Sequence, residues 1–323
     1  MKEALRTATG ESAGRPAAAE PARRRPRRTR ERYHWRDTVA GYLFIAPSLI
    51  HLLLFVVGLM IASAIYSTWR WDLLTPPVSV GLQNYVDLLH DRLFWLALRN
   101  TLYFVALTLP GGIIVSLALA LAINTRLKGM TLFRSAYFLP YIVSMVAVAV
   151  VWRWVYNGDF GLLNWFLGLF GISKVDWLGN PTTAMPAVAA MFVWKNLGWN
   201  MTLFLAGLQG IPQHLYEAAA LDGAGRWQQF RHITWPLLAP TTFFVTVTTI
   251  IGNFQVFDAI YLMTQGGPGR STQVYIYLLY NHAFRFFNMG YAAAMAWVLC
   301  LILAVLIFVQ FRVLGRRVQY ELG

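Results

Sequence analysis

The chain has 323 residues, 57% of them hydrophobic and 13% charged, and a formal net charge of +13 at pH 7. An average soluble domain is about a quarter charged, so this composition excludes a water-soluble globule and points to lipid as the solvent. A single cysteine, Cys300, excludes an intrachain disulfide, and histidines scattered at 34, 51, 90, 214, 232 and 282 offer neither a metal-ligand cluster nor a hydrolase constellation.

Residues 1–37 hold 11 Lys and Arg against five Asp and Glu. The run Arg23-Arg24-Arg25-Pro26-Arg27-Arg28, set among Ala and Pro, reads as a disordered Arg/Pro/Ala-rich tail. Its expected partner is anionic lipid rather than nucleic acid. Residues 38–323 are expected to form one membrane domain.

A spanning helix needs about 20 consecutive apolar residues. Intervals 38–69, 100–125, 135–152, 232–257 and 286–311 carry no charged residue, and a sixth, 177–216, is broken by Lys195 alone. Trimmed by hydrophobicity, they predict an all-α membrane protein with six spans, near 40–64, 98–123, 132–155, 185–209, 237–262 and 289–311. Ala62-Ser63-Ala64 mimics a signal-peptide cleavage site, but the apolar run before it exceeds the roughly 7–15 residues of a signal sequence, so the first span is expected to stay uncleaved. The stretch 160–171 is apolar yet too short to cross, and is expected as a short interfacial helix.

With a cytoplasmic N-terminus, 19 Lys and Arg fall on the cytoplasmic side: 11 in the tail, three over 124–134, two over 210–236 and three at the C-terminus. Five fall opposite (Arg70, Arg92, Lys174, Arg270, Arg285), and Arg99, Arg153 and Lys195 lie within or at the ends of spans. That asymmetry predicts both termini in the cytoplasm.

The loop over 210–236 has a structure of its own. Pro212 suits a first helical position, and residues 213–221 are mostly good helix formers. Asp222-Gly223 should end that helix, because Gly takes the left-handed conformation at little cost. A second short helix is expected from about Gly225 to His232, stopping near Pro236. Within this loop Glu217-Ala218-Ala219, Asp222-Gly223-Ala224, Phe230, Ile233, Pro236 and Pro240 resemble the EAA loop of bacterial ABC-importer permeases. Trp235 stands where that family usually has Leu and keeps the bulky apolar character. The likeness runs over most of residues 38–320. Gly41-Tyr42-Leu43-Phe44-Ile45-Ala46-Pro47, Gln255-Val256-Phe257-Asp258, Met263-Thr264-Gln265-Gly266-Gly267-Pro268 and Ala283-Phe284-Arg285 are similar to the carbohydrate-uptake branch.

The resemblance implies a type I importer fold and a non-enzymatic transport subunit in a bacterial plasma membrane. It also implies partners: a second related permease (a heterodimer), a cytosolic ATPase dimer and an extracytoplasmic solute-binding lipoprotein. The implied cargo is a di- or oligosaccharide, or a related polyol or glycerol phosphate. Glu217, Ala218, Ala219, Asp222 and Gly223 would belong to the helix that docks into the ATPase. No GxxxxGK[ST] phosphate loop occurs, and Gly266-Gly267-Pro268-Gly269-Arg270-Ser271-Thr272 lacks the required Lys, so ATP is expected to bind a partner and no cofactor to bind this chain.

Polar residues inside spans are costly and usually face a cavity or a partner. Lys195, Asn196, Trp199 and Asn200 recur at helical spacing in the fourth span, and Asn253, Gln255 and Asp258 lie toward the outer end of the fifth. These, with Tyr291, are the candidate substrate path. The equal alternative is helix–helix glue, with Lys195 paired to Asp258 or to carbonyls. Small residues at 290, 292–294 and 296 are expected to allow close packing. The competing function is an ion-coupled secondary transporter. It lacks an inverted repeat and paired broken helices, Pro110-Gly111-Gly112 being one expected break without a mate.

Overall fold

The computed structural model describes residues 35–124 and 129–313. The tail assigned to 1–37 lies outside these residues except for its last three, as do Arg126, Lys128, Arg316 and Arg317 of the charge count. The chain divides after Val57 into two units. The first contains α1 (Trp35–His51), which continues into a π-helical stretch at Leu52–Gly58. The helical run Thr38–Tyr66 has 29 residues and a mean hydropathy of 2.5, and none of its most apolar window is buried in protein. A helix apolar on every side, with Phe44 86% exposed, is suited to lipid and not to water.

The second unit begins with α2 (Leu59–Tyr66), then a two-stranded antiparallel ribbon, β1 (Trp69–Arg70) and β2 (Val78–Ser79), with Trp69 opposite Ser79. In α3 (Gln83–His90) the Asn84 amide donates to the carbonyls of Ser67 at 2.8 Å and Trp69 at 2.9 Å, tying the ribbon down. Next comes α4 (Arg92–Ile123), 32 residues and about 48 Å long. Its N-cap is Asp91, whose carboxylate accepts from the Leu93 amide at 2.8 Å. The break expected at Pro110-Gly111-Gly112 is corrected: α4 passes through it unbroken. In an apolar bundle a flanking helix holds a proline-containing segment together, and here Gly111 faces Val193 and Gly112 faces Asn200 of the helix alongside.

The predicted span 132–155 consists of α5 (Met130–Ile142) and α6 (Met145–Val155), bent by 97° where Val143 and Ser144 are extended, and the bent pair together is long and apolar enough for one span. Short α7 (Leu162–Gly168) follows, matching the expected helix over 160–171 in type and reduced length. The central element is α8 (Ala184–Gln209), 26 residues. Beyond it lie α9 (Gln213–Leu221), α10 (Arg226–Gln229), a π-helical turn at Phe230–Thr234, α11 (Trp235–Leu237) and α12 (Ala239–Phe254). Helicity therefore runs past Pro236, which was expected to stop it. The wide π turn, with the Trp235 amide bonded to the Phe230 carbonyl, loosens the backbone into which the proline ring would press. The bend of 63° falls instead at Leu238.

Over the predicted span 237–262, α12 ends at Phe254 and α13 (Asp258–Met263) restarts after three residues. Then come α14 (Tyr275–Tyr280), a π-helical turn at Asn281–Arg285 and α15 (Met289–Val313). Among the described residues three helices are long and apolar enough to cross a membrane, or five if each bent pair is one span. A sixth, α8, is long enough, but Lys195, Asn196 and Asn200 dilute its apolar run.

The core follows α8. Phe104 of α4 packs with Val188 and Met191, and further along Leu117 and Ala120 pack with Met201, Phe204 and Leu205. A separate cluster joins Phe94 and Tyr275 to Met295 of α15. The small residues of α15 do allow close approach: a Cβ on Gly290 would collide with the Trp69 carbonyl, and Ala292 and Ala294 are buried. Tyr291 donates to the Asp91 carboxylate at 2.9 Å, and the His282 ring packs 4.6 Å from its ring. Burial lowers the His282 pKa, and nearby Asp91 opposes that shift.

Two outcomes follow for the solubilised protein. A Cβ at Gly198 would fall on the Tyr137 carbonyl, whereas one at Gly41 would meet nothing within 4 Å. Gly198→Ala should therefore cost about 1–3 kcal/mol in thermal unfolding, while Gly41→Ala is neutral or stabilising; equal effects would contradict the packing. Because the folded pKa of His282 is depressed, its contribution to stability is full above the unfolded value of 6.5 and is lost as pH falls through the folded pKa. Melting midpoints at pH 7.5 and 5.5 should diverge in the native chain and converge in His282→Phe.

Candidate functional site

Two places gather the residues singled out from the sequence. The first is α9 and the turn after it. Pro212 proves to be the N-cap, one position before the helix. At the other end Gly223 has φ +80°, the Ala224 amide donates to the Ala219 carbonyl at 2.9 Å, and the Gly223 amide donates to the Ala220 carbonyl at 3.1 Å. This crossed pair is the helix-ending motif that calls for glycine. Gln213 donates to Glu217 at 2.9 Å along the exposed face, and Tyr216 bonds Thr234 at 2.9 Å, fastening α9 to the following π turn. Glu217, Ala218, Asp222 and Gly223 are exposed and Ala219 is half-buried. No side chain of α9 is buried, and Leu221 is 90% exposed. A rigid two-turn peg with small residues and an uncovered Leu is shaped for a groove on another molecule.

The second place is an open cavity of about 290 Å³ walled by α4, α5, α8 and α12, near the lower end of ligand-site volumes at about 300–1,000 Å³. From α8 come Asn196, Trp199 and Asn200, and from α12 Asn253 with Thr248 and Thr249. Tyr141 of α5 stacks on Trp199 with ring centroids 5.2 Å apart and planes 15° from parallel. Asn253, 2% exposed, donates to the Thr108 hydroxyl of α4 at 2.6 Å. The Asn196 amide donates to the Phe192 carbonyl at 2.9 Å, leaving its oxygen free of that bond. The wall therefore offers broad aromatic faces beside amide and hydroxyl groups.

Of the eight path candidates, four line this cavity: Asn196, Trp199, Asn200 and Asn253. Lys195 lies outside the lining. Its ammonium donates to the carbonyls of Pro140 (3.4 Å), Tyr141 (3.1 Å) and Val143 (3.0 Å), and stands 5.7 Å from the Tyr141 ring centroid. Carbonyls, not Asp258, are thus its partners. Gln255 and Asp258 are exposed where α12 gives way to α13, and Tyr291 belongs to the Asp91 contact. Thr108, Tyr141, Thr248 and Thr249 were not singled out from the sequence. They sit on three other helices, so no spacing rule links them to α8, and an intramembrane Thr is seldom distinctive because it bonds back to its own helix, as Thr108 does to the Phe104 carbonyl at 2.7 Å.

The glycine-rich segment over 266–272 forms a turn knitted to itself. The Thr272 hydroxyl donates to the Gly267 carbonyl at 2.7 Å, and Asn100 of α4 donates to the Arg270 and Gln273 carbonyls at 2.9 and 3.1 Å.

Residues 93–320 match the family described as "Binding-protein-dependent transport system inner membrane component". The probable ABC transporter permease protein YesP of Bacillus subtilis is 38% identical over 291 residues, 88% of this chain and 94% of the relative. The trehalose/maltose transport system permease protein MalF of Thermococcus litoralis is 38% identical over 258 residues, 79% of this chain and 86% of the relative. Among solved structures, a bacterial alginate ABC transporter in complex with an alginate pentasaccharide-bound periplasmic protein contains a chain that superposes with a TM-score of 0.75 at 25% identity, covering 86% of this chain and 96% of that one. These likenesses extend over nearly the whole described unit that holds both the cavity and α9. The chain belongs to the family of binding-protein-dependent transport system inner-membrane components.

Proposed function

We propose that this chain is one membrane-spanning half of an ATP-driven importer of carbohydrate or glycerol phosphate in a bacterial plasma membrane. The observation that carries this reading is the cavity wall, where the stacked rings of Tyr141 and Trp199 stand beside Asn196, Asn200 and Asn253. Sugar rings present apolar faces to aromatic side chains and hydroxyls to amides. The trehalose/maltose name of one relative and the alginate-loaded complex of a structural neighbour support the same cargo class. Family membership counts against an ion-coupled secondary transporter.

In this reading six spans, with α8 as the fourth, place both termini in the cytoplasm, and residues 38–323 form the permease domain. A second, related permease completes the passage, because the cavity walled by these four helices is open. A solute-binding lipoprotein delivers cargo outside. The exposed face of α9, with Glu217, Ala218, Ala219, Asp222 and Gly223, docks into a cytosolic ATPase, which binds the ATP; this chain itself needs no cofactor or metal. Closure of the ATPase dimer pushes α9. The push passes through the Tyr216–Thr234 bond into the bent α11–α12 pair, and α12 carries Asn253 at the cavity. That is a physical route for alternating access between two arrangements of the same wall.

Glu217→Lys reverses the exposed charge of the peg, and Gly223→Val forces a branched residue into φ +80°. Both should leave membrane insertion intact while lowering solute uptake by roughly tenfold or more, equivalent to about 1.4 kcal/mol of lost coupling. Normal uptake in both variants would remove α9 from the coupling role. For the cavity, Trp199→Ala should raise the concentration for half-maximal uptake by roughly fivefold, the loss of one aromatic face worth about 1 kcal/mol. An unchanged value would take Trp199 out of the path.

A further inference from the structure

We infer that the cavity between α4, α5, α8 and α12 accepts uncharged carbohydrate and turns away solutes that carry phosphate or carboxylate. The inference rests on the cavity being the solute passage and narrows its cargo. Among the described residues lining it, Tyr141 is the one ionisable side chain; the rest are amides, hydroxyls, glycines and apolar groups. An anion taken out of water needs a cation or a dense set of donors in return.

Lys195, which stands beside the Tyr141 ring of the lining, is committed elsewhere. An ammonium has three N–H donors, and the three of Lys195 meet three carbonyls at the broken end of α5. Those carbonyls belong to the negative end of a helix, so they offset the lysine charge at its source. Turning Lys195 toward a cavity anion would strip three backbone oxygens of their donor at the 97° bend. The donors that do face the cavity suit hydroxyls. The Asn253 amide gives one N–H to Thr108 and the Asn196 amide one to Phe192, so each presents a mixed donor and acceptor edge. Such an edge matches a hydroxyl, which both gives and takes a hydrogen bond, and repels half of an acceptor-only phosphate or carboxylate. Alginate, the acidic cargo of the structurally similar transporter, is the kind of solute this wall excludes.

The test is uptake by the complete importer in proteoliposomes, with its own partner permease, ATPase and binding protein. The probes are maltose, trehalose, lactose and raffinose on one side, and sn-glycerol 3-phosphate, maltobionate and a diglucuronate on the other. At least one neutral sugar should be imported, and at no less than roughly tenfold the rate of any anion, a factor worth about 1.4 kcal/mol. Preferential import of an anionic probe overturns the inference while leaving the importer reading in place. Import of no probe at all overturns the carbohydrate reading and the inference with it. A second arm cancels whatever selectivity the binding protein adds, by comparing each solute between native and variant chains. Asn200→Lys, or Asn196→Lys if the first does not fold, puts a free cation on the wall and should lower the neutral-to-anion ratio by roughly tenfold. A folded variant with an unchanged ratio shows that this wall does not read charge, and the inference falls.

Discussion

The fold turns on one constraint: in lipid, every backbone carbonyl left over by a broken helix must find a donor inside the protein. At the junction of α5 and α6 the chain bends by 97°, and Lys195 of α8 answers three of the carbonyls released there. The same contact presses α5 onto α8 so closely that Gly198 has no room for a side chain beneath the Tyr137 carbonyl. It also lays Tyr141 flat against Trp199. One ammonium thus satisfies a helix end, seats a helix and sets the aromatic wall of the cavity.

The rest of the site is organised around that seam. Helix α4 runs unbroken along the other side of α8 and supplies Thr108 as acceptor for Asn253, 145 residues away in the chain. Because α12 contributes Asn253 and is joined through the π turn and Tyr216 to α9, the exposed peg and the cavity share one mechanical connection. The proposed solute passage would need such an arrangement. Its wall must be rigid enough to recognise cargo, yet hung on an element that a partner can move. The helices bend at Leu238 and at Val143–Ser144.

Much was legible in the sequence. Charge-poor intervals located the apolar helices long enough to cross a membrane, because excluding charge from lipid is a composition rule that acts residue by residue. The α9 turn was readable as well, since Gly223 after Asp222 is a local signal for a left-handed helix end. What the intervals could not reveal was continuity. Pro110-Gly111-Gly112 reads as a break, yet α4 passes through it, and nothing in the apolar run 132–155 marks the 97° bend within it. Local propensity is weak against packing: burial beside α8 carries a proline through a helix, and a lysine from another helix stabilises a bend that the apolar run alone would not suggest.

The intramembrane polar residues show the same division. The sequence picked out Lys195, Asn196, Asn200 and Asn253 as too polar for lipid, with Trp199 as the aromatic member of the same helical stripe, and that much needed only hydropathy and spacing. Their separate roles depend on neighbours. Lys195 and Asn196 are adjacent in the chain, yet successive residues of a helix point about 100° apart, so one turns to the carbonyls of α5 and the other to the cavity. By itself, then, the sequence determined that this chain lives in a membrane, where its long apolar runs lie, and that an exposed peg over 213–221 ends at Gly223. The tertiary structure decided which polar side chains face a cavity and which close the protein's own backbone, because that choice is made by groups brought together from distant helices and by no property of the residue itself.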